Sequence, residues 1–459
     1  MSQDLRHALT RLRESGDLVT IDQPLSWEYE LAAVLWELQQ GPAALFANVT
    51  GYRTPVVGNL LNRRDKLATS LGIPAEQLQS HLAEALANPI PPTVSETGPC
   101  LETRHPGEVD LTELLPIPLI SESDGGRYIS AGVLICKDPD TGRRNMAICR
   151  VQVKAPGMVG VYMAPTHSRG MLSKHRARGS RMEVAIAIGL HPGLMAASQF
   201  LTPLDETHLA GGLFREPMEL TRARTVDLEV PAYAEVVLEG TIDPHEAEPE
   251  GPFGEFPGTY APQRPNPVIR LSAVATRTDP IFQMIVGGRH PEHLVTGAIA
   301  REAGLYEAIQ AVVPSVTAVR LTAGGTCRFH AVVSIRKHFP GEGRLAILTA
   351  FAKQDLIKHV TVVDDDIDIG NPVDVEWAVA TRMRAHEDLV TVPQMKSNPV
   401  DPMSIGGAIT KLGIDATLPV DAASETRQRV DVPRGVRDKI RSALPDIVGT
   451  STSDPPPSA

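Results

Sequence analysis

The sequence has no surplus of positive charge. Its 459 residues carry 44 Lys and Arg against 55 Asp and Glu, a formal net charge of −11. A general nucleic-acid binder or a protein held on an anionic membrane needs a basic face, so neither class fits, although a local basic pocket for phosphate is still allowed. Cysteine is scarce too: Cys100, Cys136, Cys149 and Cys327 form no CxxC or other metal-ligand spacing. Buried, reduced thiols of a cytosolic protein are the expectation. Long apolar runs are missing. Residues 1–16 have a stripe of Leu5, Leu9 and Leu12 but also acids, which suits neither a signal peptide nor a membrane span. No internal repeat is visible, and a cytoplasmic globular protein of two or three domains is what these absences leave.

What is there divides the chain into stretches of different periodicity. Up to about Pro92, helical stripes at Leu5 to Leu12, Glu28 to Leu38 and Ala75 to Ala87 alternate with strand-like runs at Ala44 to Val49 and Val56 to Leu60. This is the pattern of a small α/β unit. Prolines at 91, 92, 116 and 118 then break it. Between Tyr128 and Val286 strands dominate, at 128–136, 146–153, 184–190, 234–238, 268–275 and 281–286. Asp138-Pro139-Asp140-Thr141-Gly142 separates the first two and predicts a hairpin. Short strands in such a succession predict an antiparallel barrel rather than a doubly wound sheet. A helix is expected over 292–312, and strand and helix alternate again beyond it.

The polar residues with chemical potential lie mostly in the middle stretch. Pro249 to Gly258 places Glu250 and Glu255 in a frame of proline and glycine that forbids regular helix and shapes a loop. Arg150 sits in the otherwise apolar run Met146 to Val151, where a guanidinium needs a carboxylate partner; Glu250 or Glu255 would supply it. Asn145 and Arg150 differ by an odd number, so a regular strand would turn them to opposite faces unless a bulge intervenes. Asn145, His167 and Glu206 offer an amide oxygen, an imidazole and a carboxylate. That donor set suits Mg²⁺ or Mn²⁺ completed by phosphate oxygens better than a thiolate zinc site. His293 and Arg301, eight apart, share one side of the expected 292–312 helix. They are either its solvated basic face or a clamp for a second anionic group on a substrate.

In their order and spacing these segments resemble the UbiD-type decarboxylases that use prenylated flavin mononucleotide. The resemblance runs through Asp124-Gly125-Gly126-Arg127-Tyr128, Asn145 to Arg150, His167, Glu206 with Ala210-Gly211, Ala234 to Gly240, Pro249 to Glu255 and Asp364 to Asp368. It implies an α+β fold with a central FMN-binding split β-barrel (116–290) between an N-terminal α/β domain (1–115) and a C-terminal α/β oligomerisation domain (316–450). A linker helix (291–315) and a disordered tail (451–459) complete the expected organisation. The implied catalytic network is Arg150, Glu250 and Glu255. Asn145, His167 and Glu206 would hold Mn²⁺ or Mg²⁺ against the flavin phosphate, with K⁺ on backbone oxygens near Ala197 and Ser198. Ile148, Arg150, Thr166 and Lys358 would join those three in binding the cofactor.

The activity so implied is reversible, non-oxidative decarboxylation of a small aromatic or heteroaromatic acid through a covalent flavin–substrate adduct, with Glu255 as proton donor and Glu250 buttressing Arg150. Loss of CO₂ leaves electron density that ordinary side chains cannot absorb, hence the cofactor. The pair His293 and Arg301 resembles the furan-dicarboxylate subgroup, and Thr166 departs from the glutamine of cinnamate-type members, so 2,5-furandicarboxylate is the favoured substrate. Pyrrole-2-carboxylate and hydroxybenzoates are alternatives, and a flavin oxidoreductase on a split barrel is the rival from another class. The resemblance also implies a UbiX-type flavin prenyltransferase as cofactor supplier and a homodimer or homohexamer.

Overall fold

A computed structural model of the chain describes residues 3–423, 428–430 and 432–448. The tail expected over 451–459 lies outside the described residues. At the centre six antiparallel strands close on themselves in the order Tyr128–Lys137, Arg144–Ala155, Met158–Val161, Arg264–Thr276, Val236–Glu250 and Met182–Ile188. Alternation drives the arrangement. Met146 and Ile148 pack into one apolar cluster and Ala147, Cys149 and Val151 into another; Ala185 and Ala187 oppose Ile186 and Ile188 in the same way. Each strand therefore buries both faces, one in the barrel layer and one against neighbouring helices. The expected hairpin is present: Lys137 pairs with Arg144, and Gly142, at φ 71°, donates to the Asp138 carbonyl at 2.8 Å.

A four-stranded sheet, Leu18–Ile21, Ala43–Phe46, Val56–Gly58 and Phe282–Gln283, flanks the barrel on the N-terminal side. The 281–286 run, expected among the middle strands, instead pairs in parallel with Val56–Gly58. An apolar run signals a buried strand but not which sheet it joins; here Phe282, Met284 and Val286 pack with Leu31 and Phe46. The C-terminal unit is a five-stranded mixed sheet in the order Val316–Leu321, His330–Ile335, His359–Asp364, Ala408–Ala416 and Leu389–Lys396. Its aspartate-rich stretch serves as an anchor: Arg382 holds Asp364 at 2.7 Å and Asp366 at 2.6 Å.

One helix joins these parts. Pro291–Gln310 starts on His290, whose Nδ1 accepts from the Glu292 N–H at 3.3 Å, with Pro291 at the first position where no donor is needed. The buried Glu292 carboxylate accepts from the backbone N–H groups of Asn59, Leu60 and Leu61 at 2.7, 2.7 and 3.1 Å. The helix start is thereby fixed to the N-terminal unit. Further along, Leu305 and Ile309 pack into the C-terminal core.

Candidate active site

Arg150 is the hub of the site. Its Nε and Nη2 both donate to Glu250, at 2.9 Å each, and its Nη1 donates to Glu255. The guanidinium carbon lies 4.4 Å from the Tyr162 ring centre and 5.2 Å from that of Phe253, so aromatic faces cover what the carboxylates leave open. The two glutamates are not equivalent. Glu250, wholly buried, also accepts from Tyr128 Oη at 3.2 Å and Asn266 Nδ2 at 3.0 Å. Among the described residues Glu255 has Arg150 as its only side-chain donor, and burial raises its pKa against the pull of the arginine.

Backbone packing sets the carboxylate loop. Gly125 N–H donates to the Pro252 carbonyl at 2.7 Å. A Cβ on Gly125 would collide with the Gly251 carbonyl, so the two segments approach as only glycine permits. Asp124 accepts from Gly254 N–H at 3.1 Å and Ser121 N–H at 3.0 Å, and burial pushes its pKa up to about 6. Gln152 spans the same junction, donating to the Gly125 carbonyl at 2.6 Å and accepting from Gly251 N–H at 3.3 Å.

Arg150 and Asn145 line one cavity although they follow odd spacing. The bulge lies in the partner strand, where Ser130 and Ala131 together stand opposite Arg150, and leaves the alternation of Arg150's own strand intact. Asn145 lies at the start of its strand, where its side chain reaches the cavity rim. Its Nδ2 donates to Ser168 Oγ at 2.8 Å, next to His167 at the first turn of the helix His167–Arg178. Glu206 begins the helix Glu206–Phe214 and accepts from Met146 N–H at 2.9 Å, so its carboxylate lies against Asn145.

These three residues suit a divalent cation. Glu206 is buried with no hydrogen bond or ion pair to a Lys or Arg among the described residues; burial pushes its pKa up to about 8 and Arg143 offsets this only in part, so a cation beside it would favour the carboxylate form. Burial, with Arg143, lowers the pKa of His167 and keeps it the neutral ligand form. The helix behind it has no side-chain cap at Thr166, leaving N–H groups free to meet a phosphate.

Across the cavity stand His293 and Arg301 from the linker helix, joined by Arg328. Neither arginine has a carboxylate partner among the described residues. Their donors go to carbonyls: Arg301 Nη1 to Gly297 at 2.7 Å, and Arg328 Nη1 to Leu294 at 3.1 Å and Cys327 at 2.9 Å. Burial lowers both pKa values, with Arg328 adding to the effect on Arg301, and that of Arg328 falls to about 10 although Glu255 and Glu302 pull it upward. A Cβ at Gly297 would strike both guanidiniums, so this mid-helix glycine makes the room they occupy. His293 Nδ1 donates to the Gly288 carbonyl at 3.1 Å, and burial, with Arg328, lowers its pKa to about 3. The positive charge of this wall therefore resides in the arginines.

Among the remaining expected residues, Ile148 and Thr166 line the cavity and Ser198 borders it, its Oγ donating to the Met195 carbonyl at 2.8 Å. Lys358 does not join them. Its Nζ is 3.1 Å from Asp401 and lies over the Phe329 ring, within the C-terminal unit; a buried acid beside it outcompetes a more distant site. Arg328 and Gly297 escaped the sequence reading. The signal available for Gly297 was a glycine inside a helix, which costs about 1 kcal/mol relative to alanine and so asks for a reason.

A carboxylate–guanidinium–carboxylate triad sharing one cavity with two arginines that have no carboxylate hydrogen bond or ion pair among the described residues, at the wall of a closed barrel, suits the chemistry of carboxylic acids. Residues 9–86, 92–290 and 294–416 match the N-terminal, Rift-related and C-terminal domains of 3-octaprenyl-4-hydroxybenzoate carboxy-lyase. The chain belongs to the UbiD family of carboxy-lyases. The anhydromevalonate phosphate decarboxylase of Methanothermobacter thermautotrophicus is 37% identical over 429 residues, covering 93% of this chain and 99% of the relative. The UbiD-class enzyme HmfF from Pelotomaculum thermopropionicum, solved in complex with FMN, is 41% identical with a TM-score of 0.92, covering 96% of this chain and 99% of that one. An evolved dimeric form of HmfF in complex with prFMN is 39% identical with a TM-score of 0.87, covering 95% and 98%.

Proposed function

We propose that this decarboxylase binds prenylated FMN and removes CO₂ reversibly from a small heteroaromatic diacid, with 2,5-furandicarboxylate as the favoured substrate. The observation that carries the diacid is the pair Arg301 and Arg328, two guanidiniums of the cavity lining that have no carboxylate hydrogen bond or ion pair among the described residues, beside His293. A second carboxylate on the substrate would neutralise them and fix the first beside Arg150. The cofactor residues are Asn145, Ile148, Arg150, Thr166, His167 and Glu206. Asn145, His167 and Glu206 would also hold Mn²⁺ or Mg²⁺ against its phosphate, with K⁺ near Ala197 and Ser198. When bound, prenylated FMN supplies the electron sink that no side chain offers.

The chain's own groups do the rest. Arg150 orients the carboxylate that leaves as CO₂. Burial raises the Glu255 pKa against the pull of Arg150, which favours its acid form; in that form Glu255 passes its proton to the carbon as the carbon–carbon bond breaks and is recharged from solvent. Glu250, saturated by four donors, keeps Arg150 in place. Phe253, Phe256 and Tyr162 line the site with carbon and exclude water. Cofactor maturation by a UbiX-type prenyltransferase and assembly into a homo-oligomer belong to the same proposal.

A second reading has its own support. The relative from M. thermautotrophicus is named for a phosphorylated acid, and two guanidiniums suit a phosphate as well as a carboxylate. A panel of furan and benzene mono- and dicarboxylates and anhydromevalonate phosphate, assayed for CO₂ release with cofactor-loaded enzyme, separates the two. Turnover of the furan diacid above the corresponding monoacids and the phosphate ester is expected. Better turnover of monoacids would overturn the diacid assignment.

A further inference from the structure

The linker helix stands between two cavities. His293, Thr296, Gly297 and Arg301 face the catalytic one, whereas Pro291, Leu294 and Val295 face a second cleft of about 550 Å³. This cleft opens between the N-terminal unit and the first strand of the C-terminal sheet. Arg63, Arg64, Arg289 and Arg320 line it with a single carboxylate, Asp65, in a chain whose net charge is −11. So local a reversal of sign calls for a reason.

Internal ion pairs account for only part of it. Arg63 is held by Asp17 at 2.8 Å and Asp65 at 2.9 Å, and Arg64 uses Nε and Nη2 on Glu302, with no hydrogen bond from Nη1 to any described residue. Arg289 and Arg320 have no hydrogen bond or ion pair with any described residue. Arg289 is exposed beside the linker-helix start. Arg320, on the strand Val316–Leu321, is half-buried, and burial, with the nearby Arg64, lowers its pKa. Glu302 and Asp368 attract Arg320 from a distance but neither pairs with it, so its donors stay open to an anion in the cleft.

We infer that this cleft is a second anion site, separate from the catalytic cavity, built for a small, multiply charged oxyanion of the phosphate class, with Arg289 and Arg320 as its principal ligands and Arg64 as a third. Geometry favours that class over a simple carboxylate. One guanidinium fork saturates a planar carboxylate, whereas three guanidiniums contributed by a helix of the N-terminal unit, the linker-helix start and a C-terminal strand suit an ion with oxygens on several sides. Gln39, Gln40 and Asn62 add amide groups at the rim. The inference does not depend on the substrate proposed above.

Isothermal titration of the full chain with pyrophosphate, at constant ionic strength, tests it. Saturable one-to-one binding is expected, weakened at least tenfold by Arg320→Gln or Arg289→Gln and unchanged by Arg301→Gln. Arg289 is exposed, so that variant carries little folding burden. No saturable binding to the parent protein, parental affinity in both cleft variants, or loss of binding in Arg301→Gln, which would put pyrophosphate in the catalytic cavity, would each overturn the inference.

Discussion

Glu250 and Glu255 share the guanidinium of Arg150 but not its surroundings: Glu250 takes two of its N–H groups and two further donors, whereas Glu255 takes one N–H and nothing else from the side chains around it. The first is held by four donors and the second by one, with burial raising its pKa. Glu255→Gln should therefore retain bound cofactor and lose on the order of 10²–10⁴ in kcat for CO₂ release. Glu250→Gln should instead lower thermal stability by roughly 3 kcal/mol, because it leaves Arg150 buried without its full counter-charge. Turnover by Glu255→Gln at the parental rate would remove it from the chemistry.

The arginine wall predicts a split in kinetic constants. Arg301→Ala and Arg328→Ala should each raise KM for a diacid by roughly 10- to 100-fold, the effect of losing about 1.5–3 kcal/mol of a charge-assisted hydrogen bond. Monoacids, which have nothing to place there, should be far less affected. Steady-state assays on one diacid and its matched monoacid decide the matter.

Much of this site was legible in the sequence, for a physical reason. Arg150 in an apolar strand demanded a carboxylate, and a proline–glycine loop with two acids was a plausible source; the structure joins them directly. The barrel also followed from alternation, which needs no knowledge of distant contacts. Other features required three dimensions. Arg328 lies in Gly324-Gly325-Thr326-Cys327-Arg328, an irregular stretch with no period to place its side chain. The strand at Phe282–Gln283 looked like its neighbours but crosses to another sheet. Lys358 shows the converse, a residue whose sequence position suggested the cofactor while Asp401 holds it elsewhere.

Acid should loosen the linker helix at its start. His290 uses Nε2 as donor to the Leu35 carbonyl at 3.1 Å and Nδ1 as acceptor, an arrangement open only to the neutral ring, and burial lowers its pKa to about 4 from an ordinary 6.5. A folded-state pKa below the unfolded one means the contribution is complete above pH 6.5 and disappears as pH falls through about 4. The stake is on the order of 3 kcal/mol. Denaturant unfolding at steps between pH 7 and 4 should show that loss, and His290→Gln should flatten it while lowering stability at pH 7.

Metal and flavin binding should be coupled through Glu206. Chelation of divalent cations, or Glu206→Gln, should reduce the FMN absorbance retained after gel filtration while far-ultraviolet circular dichroism stays unchanged. Undiminished flavin in both samples would show that Asn145, His167 and Glu206 do not hold the phosphate through a cation.

Phe256 follows Glu255 by one peptide bond, yet it packs with the C-terminal core, its ring centre 5.5 Å from that of Phe329 and 6.5 Å from that of His293. Adjacent residues thus serve different units: Glu255 bonds to Arg150 of the barrel, and Phe256 packs with the C-terminal core. For anyone recombining relatives of this enzyme, the natural crossover is not the loop between the two units: residues 253–258 have to travel with the C-terminal partner that their aromatic ring was shaped to meet.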